Sequence, residues 1–465
     1  MSDEISGVGK SATSSRSKML LGTILAMLLL VRLGLASLVY SHPELAHAND
    51  TDRYVPIANG LLAGTAYTWD TQRPGELLNT VGYPLFLAAV YSVFGHDAGD
   101  VALAQLLMTG LIALFMYVAL SRWLGASAFF SALILLLDPL TSLWSMTILT
   151  EALFAATLAI AAVMVGFWAN TRNQVVLLAA GLFTGLACLV RPIGLLIVLA
   201  WAAALMFLPP SAGMRARPIR YRLQVLAVFL LPPLILIAPW YARNALLWNC
   251  LSLSSVDRVT VRDYVAAKMI VETEHVTLEE AQGRLQASDP GVCPRDTRKY
   301  WSMVLADPAI YVRLHLGGTF AVLFATNFDR WLQYFGTAYT LPDLWRPYMD
   351  GGWSGLLSVL AREVQLFPQG IGLMIALTVF QVVVYVLALL GAYVMLHWGS
   401  GPVRWYAWAL AIAIIILVVT PGQSGHERFR VPLQPLFAIL AGYWAARRSI
   451  ILSPGKVRHN EALDF

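Results

Sequence analysis

Ten apolar runs, each long enough to cross a bilayer as a helix of about 20 residues, dominate the hydrophobic pattern of this chain. They lie at 19–40, 101–120, 126–147, 151–169, 174–190, 193–208, 222–239, 371–396, 403–420 and 431–447. The pattern predicts an all-α, polytopic transmembrane helix bundle of about ten or more spans. Two polar excursions interrupt it, at 41–100 and 241–370. In the first, Tyr83 to Phe94 is apolar but too short to span, and is expected to lie on the membrane surface. The second mixes charged helical sequence, Thr277 to Gln286, with aromatic-rich turns around Trp331, Trp345 and Trp353. Ile310 to Asn327 is read as interfacial or half-inserted, because Arg313 and His315 break its apolar face. Residues 1–18 are read as a disordered tail rich in Ser and Gly. Residues 19–447 form one transmembrane domain and 448–465 a second tail.

Composition agrees. Of 465 residues, 58% are hydrophobic and 13% charged, where a soluble domain carries roughly a quarter charged residues. The formal charge of +5 does not point to nucleic acid, since no basic run is interleaved with aromatics. The basic residues sit at span ends instead. Lys10, Arg16 and Lys18 precede the first run, and Arg122, Arg172, the cluster Arg215, Arg217, Arg220 and Arg222, then Arg404, Arg447, Arg448, Lys456 and Arg458 recur at every second loop. By the positive-inside rule both termini are expected in the cytoplasm. Ala46-His47-Ala48 imitates a signal-peptide cleavage site, but the preceding run is long and holds Arg32, so a retained first helix is expected. Cys188 lies in a run, whereas Cys250 and Cys293 share the second excursion, where an oxidising compartment would let them pair.

With topology set by the basic loops, the polar clusters can be placed independently, and they fall on the outer face. Asp50 and Asp52 follow the first span, Glu151 opens the fourth, Arg191 closes the fifth, Arg243 and Asn244 close the seventh, and His426, Glu427, Arg428 and Arg430 open the last. Arginine is normally scarce in outer loops. Taken singly, each could snorkel to lipid headgroups; together they suggest a site for an anionic group, because the guanidinium fork suits phosphate. Asp50 and Asp52 alone would read as turn residues beside Asn49, but next to those arginines one of them can be a general base. Asp138, before Pro139 in mid-span, must face protein or water and is read as a packing residue in preference to a lining one. No Gly-x-Gly-x-x-Gly follows a strand pattern and no zinc spacing occurs. Gly9-Lys10-Ser11 fails as a phosphate loop because Glu4 stands at its first required Gly.

Several segments resemble the GT-C membrane glycosyltransferases, specifically bacterial relatives of the dolichyl-phosphate-mannose-protein mannosyltransferases and of the lipid A aminoarabinose transferases. Asp50 to Tyr54 with Ile57-Ala58 and Gly64 is similar to the family's first outer loop, and Gly82-Tyr83-Pro84 to its next helix start. Asp138-Pro139-Leu140, Thr150-Glu151-Ala152, Gly181 through Arg191-Pro192, Pro239-Trp240 with Arg243-Asn244, and Arg428-Phe429-Arg430-Val431-Pro432 follow in order. Where relatives usually carry prolines before Gly-Tyr-Pro, this chain has Thr80-Val81.

The resemblance implies transfer of a sugar from a polyprenyl-phosphate donor to an extracytoplasmic acceptor, which could be lipid, glycan or protein, at the inner membrane of a bacterium. Asp50 would be the general base, with Arg191, Arg243, Arg428 and Arg430 holding the donor phosphate. Asp52, Tyr54, Tyr83, Glu151, Asn244 and His426 would bind the acceptor or orient the site. No cofactor is implied, and a divalent metal is neither required nor excluded. The alternatives are a lipid-linked oligosaccharide ligase or polymerase, and a flippase. A flippase or other transporter should show charges or broken helices near mid-membrane in paired positions, and the sequence offers only Arg32 and Asp138 and no inverted repeat.

Overall fold

The computed structural model describes residues 4–48, 50–65, 67–68, 77–207, 219–289, 293, 297–337 and 345–452. Asn49, Arg215, Arg217, Lys456 and Arg458 lie outside the described residues. Every apolar run read from the sequence coincides with a helix or a bent pair of helices, and no strand occurs among the described residues. The protein is a multi-pass membrane protein. Six helices are long and apolar enough to cross a membrane, or eight if each of two bent pairs is one span. Gln174–Val190 and Gly194–Met206 are apolar but shorter, and the last run becomes Gln434–Leu452.

Three details correct or refine the sequence reading. The first helix begins at Glu4, so residues 4–18, assigned above to a disordered tail, continue it. Extending a formed helix costs far less than nucleating one, and the Ser- and Lys-containing stretch contains no proline to stop it. The third span is broken at Asp138. Pro139 cannot continue the preceding helix, and the Asp138 carboxylate accepts from Thr141 N at 2.6 Å to cap the next one, which leaves a bend of 54°. The ambiguous segment is a second bent pair, Pro308–Phe324 and Phe328–Tyr334, with a bend of 45°. Together the two halves are long and apolar enough for one broken span or for a re-entrant loop, and the second is the half-inserted reading made from the sequence.

Burial orders the bundle from centre to rim. In Glu151–Thr171, 78% of the apolar window is buried, against 17% in both Met19–Ser41 and Pro368–Trp398. Glu151–Thr171 is therefore the central helix, and the other two face outward. Lipid tails give no hydrophobic drive for helices to associate, so close backbone packing must supply the attraction. Gly391 shows this: a Cβ there would lie 1.8 Å from Leu440 O, so Pro368–Trp398 and Gln434–Leu452 touch along their backbones.

At one end of the bundle the two excursions fold over it. Helices Thr51–Leu62 and Gly82–Phe94 pack on one another, and Ser255 N donates to Leu77 O at 3.0 Å, which joins the first excursion to the start of a helical module between Val256 and Ala306. Cys250 and Cys293 are disulfide-bonded, with Cα atoms 5.7 Å apart. Lys268 Nζ donates to Gln423 O at 2.7 Å, which ties the module to the turn before the last helix.

Candidate functional site

Helix Glu151–Thr171 runs away from this end and Gln174–Val190 returns to it, joined by Arg172 in a left-handed conformation and by Asn173, which caps the second helix. The first residue of one helix and the residue after the other are thereby neighbours. Arg191 Nη1 donates to Glu151 Oε1 at 2.8 Å, with the Glu151 side chain 2% exposed. A carboxylate so buried needs a paired cation, and Arg191 provides it.

Asp50 reaches the same place by a different route. Thr51 Oγ1 donates to Ile148 O at 3.0 Å, and Ile148 N donates to Ala46 O at 2.9 Å. These bonds pin the loop carrying Asp50 to the segment just before Glu151. The Glu427–Leu433 3-10 helix then presents Arg428 to both acids. Its Nη1 donates to Asp50 Oδ2 at 2.9 Å, and its Nε lies 3.6 Å from Glu151 Oε1. Burial opposes the charge of Arg428, but Glu151 and Asp50 outweigh it and raise the pKa. The guanidinium groups of Arg191 and Arg428 lie 4.8 and 5.2 Å from the centroid of the Phe429 ring, which holds two like charges beside one another through cation–π contact.

Tyr54 stands among these four charges. Burial raises its phenol pKa, Asp50 and Glu151 raise it further, and Arg191 and Arg428 act against them, so the hydroxyl stays a donor. Its ring meets that of Tyr83 edge-on at 5.0 Å. Tyr83 OH in turn donates to Gln105 Oε1 at 3.2 Å, and Gln105 is anchored on Ser145 O and Thr147 O.

On the opposite flank, His426 meets Trp144 edge-on at 5.8 Å and contacts Glu427 Oε1 at 3.1 Å. Surrounding protein and the Arg428 charge push its pKa down, so the imidazole is neutral at pH 7. Burial pushes Glu427 up to about 7. Arg330 stacks over Trp144 at 5.3 Å and donates to Leu45 O and, at 3.1 Å, to His47 O, bracing the loop that ends at Asp50.

The structure therefore brings together Asp50, Tyr54, Glu151, Arg191, Arg428 and His426, with Tyr83 supporting them from behind. Other residues expected here lie apart. Arg430 donates to Val322 O, Leu323 O and Ala325 O, which closes the carboxyl end of helix Pro308–Phe324, where backbone carbonyls lack partners. Arg243 lies over Tyr67 and Trp240, at 5.1 and 4.4 Å from the ring centroids, and bonds Asn244 Oδ1 at 2.7 Å. Asn244 is buried, with its amide on Ser252 O and Leu253 O, so it holds the disulfide loop. Asp52 is exposed, with no hydrogen bond or ion pair among the described residues. Asp138 accepts from Gln434 Nε2 at 2.9 Å within the bundle, in keeping with a packing role. Among the described residues no group of three His, Cys, Asp or Glu is placed to hold a metal ion.

Arg330 and Trp144 were not singled out from the sequence, and Glu427 and Phe429 were named beside Arg428 without a role. The alternation Arg428-Phe429-Arg430 and the charge beside Trp331 were legible signals. What they contact depends on three segments remote in sequence.

Residues 79–240 match the family model described as dolichyl-phosphate-mannose-protein mannosyltransferase. This segment contains Tyr83, Glu151 and Arg191, and the motifs from Gly82-Tyr83-Pro84 to Pro239-Trp240. No curated protein matches the chain. Among solved structures it is similar to the oligosaccharyltransferase of Archaeoglobus fulgidus in the apo form, with TM-score 0.52 and 13% identity over 93% of this chain and 51% of that one. It is also similar to ArnT from Cupriavidus metallidurans bound to undecaprenyl phosphate, with TM-score 0.46 and 15% identity over 93% of this chain and 60% of that one. A third match is AglB from Archaeoglobus fulgidus in complex with an inhibitory peptide and a dolichol-phosphate, with TM-score 0.48 and 13% identity over 92% of this chain and 51% of that one. The chain thus spans about 60% of the length of ArnT and about half that of the oligosaccharyltransferase. The GT-C membrane fold expected from the motifs is the fold observed.

Proposed function

From the GT-C fold and the family segment at 79–240, we propose that the protein transfers a sugar from a polyprenyl-phosphate donor to a hydroxyl-bearing acceptor at the outer face of a bacterial cytoplasmic membrane, with both termini cytoplasmic. The observation that carries this reading is the bridge from Arg428 to two carboxylates of unequal exposure, Asp50 at 31% and Glu151 at 2%. A base must be reachable and a scaffold need not be. Asp50 fits the first role. Glu151, locked to Arg191, fits the second.

In the reaction the acceptor oxygen bonds to the anomeric carbon from the face opposite the phosphate, and the configuration inverts. The hydroxyl proton passes to Asp50, while the electron pair of the breaking carbon–oxygen bond goes to the departing phosphate. Arg428 and Arg191 keep 23% and 21% of their side chains exposed, so their remaining N–H groups can stabilise that charge where little water competes. Tyr54, held as a donor, supplies one more hydrogen bond. The donor named in the matching family's description, dolichyl-phosphate mannose, belongs to the same chemical class.

The test is release of polyprenyl phosphate from a panel of polyprenyl-phosphate sugars, by purified protein in detergent with membrane extract as acceptor. Wild type should release it, and Asp50→Asn should lose about 100-fold or more, the usual worth of a general base. No release with any donor, together with vesicle transport that survives Asp50→Asn, would replace the reading with a transporter.

A further inference from the structure

Helix Thr51–Leu62 has two working faces. One carries Tyr54 toward the arginines. The other carries Asp52, Val55 and Asn59, spaced i, i+3 and i+7 and so aligned along the axis. Val55 and Asn59 line an open groove of about 360 Å³, whose other polar walls are His47, Tyr91, His96 and Asp97. That volume lies within the range of about 300–1,000 Å³ usual for small-molecule sites.

The lining has a definite chemistry. Tyr91 and His96 stack at 4.5 Å with 26° between their planes, making a flat wall. His47, Asn59 and Asp97 add donors and acceptors, and none of the lining residues is Lys or Arg. A phosphate would find no fixed cation there, whereas hydroxyl groups, which both donate and accept, match imidazole, amide and carboxylate. The position also matters. His47 stands three residues before Asp50, and Asp52, exposed and unpartnered among the described residues, extends the groove face toward the base.

We infer that this groove receives the acceptor, and that the acceptor is an uncharged sugar. The inference rests on the transferase reading above. The donor phosphate then lies on the Tyr54 face and the acceptor on the Asn59 face, with Asp50 where the two faces meet.

The natural cysteines make a direct test possible. Cys188 is buried and Cys250 is bonded to Cys293, so in Asn59→Cys the new thiol is the reactive one. Methyl hexosides and pentosides should slow its maleimide labelling about threefold at twice their Kd, and inorganic phosphate should not. No slowing by any glycoside, or slowing by phosphate or by a serine-containing peptide alone, would overturn the inference. A second variant, Val55→Trp, fills the groove. It should raise the acceptor KM while donor hydrolysis by water continues; transfer equal to wild type would overturn the proposal. Labelling needs no turnover, so a wild type that releases no polyprenyl phosphate would fail the transferase reading without obscuring whether the groove binds sugar.

Discussion

Arg428 can address two carboxylates at once because its donors form a planar fork, whereas lysine offers a point charge. Arg428→Lys keeps the charge but cannot hold Asp50 at 2.9 Å while remaining near Glu151. A hydrogen bond to a charged group is worth about 1.5–3 kcal/mol, so polyprenyl phosphate release should fall roughly tenfold to a hundredfold, measured as kcat at saturating donor. Unchanged kcat would remove Arg428 from the site. Glu427 gives a pH prediction. Burial, with a smaller push from Asp329, lifts its carboxyl from 4.5 to about 7. The folded protein then keeps a proton that the unfolded chain has already lost. This contribution to stability is full below the unfolded pKa and declines as pH rises toward the folded value. Glu427→Gln should therefore raise the unfolding temperature relative to wild type at pH about 8, and by much less at pH about 5. An equal effect at both pH values would contradict the shift.

Elements bring these residues together by simple means. An antiparallel helix pair returns Arg191 to Glu151, and a break at Asp138-Pro139 lets residues 146–150 run across the bundle to meet Ala46 and Thr51. An unforgiving contact close to the site is the crossing of helix Pro308–Phe324 over the turn before Arg428. A Cβ on Gly318 would lie 1.9 Å from Gly422 O, backbone against backbone, so no side-chain adjustment can relieve it. Gly318→Ala should force the 422–428 turn away from the helix and separate Arg428 from Asp50. The expected result is a large loss of transfer with helical content retained by circular dichroism; normal activity would show that the crossing is not needed.

At the scale of the whole molecule, the module between Val256 and Ala306 is fastened by chemistry as well as packing. The Cys250–Cys293 bond closes a sequence separation of 43 residues, worth about 4 kcal/mol of loop-closure entropy in the unfolded chain. Cys250→Ser should lower the unfolding temperature, and reductant should do the same to wild type. Insensitivity to both would mean the module is held by other contacts. The spans were legible because lipid imposes its requirement on every window of about 20 residues, and the break at Asp138 could be suspected from its proline. Candidate polar residues were legible because arginines and acids clustered at span ends are costly without a reason. Partnership was not. Arg428 and Arg430 are two residues apart, yet one faces Asp50 and the other closes a helix end at Leu323, and no local pattern separates them. The sequence by itself determined a helical membrane protein, its apolar helices and the charged residues of its candidate site, since solvation acts residue by residue. The tertiary structure decided which arginines meet which acids, because those contacts join segments up to 378 positions apart and depend on how helices cross.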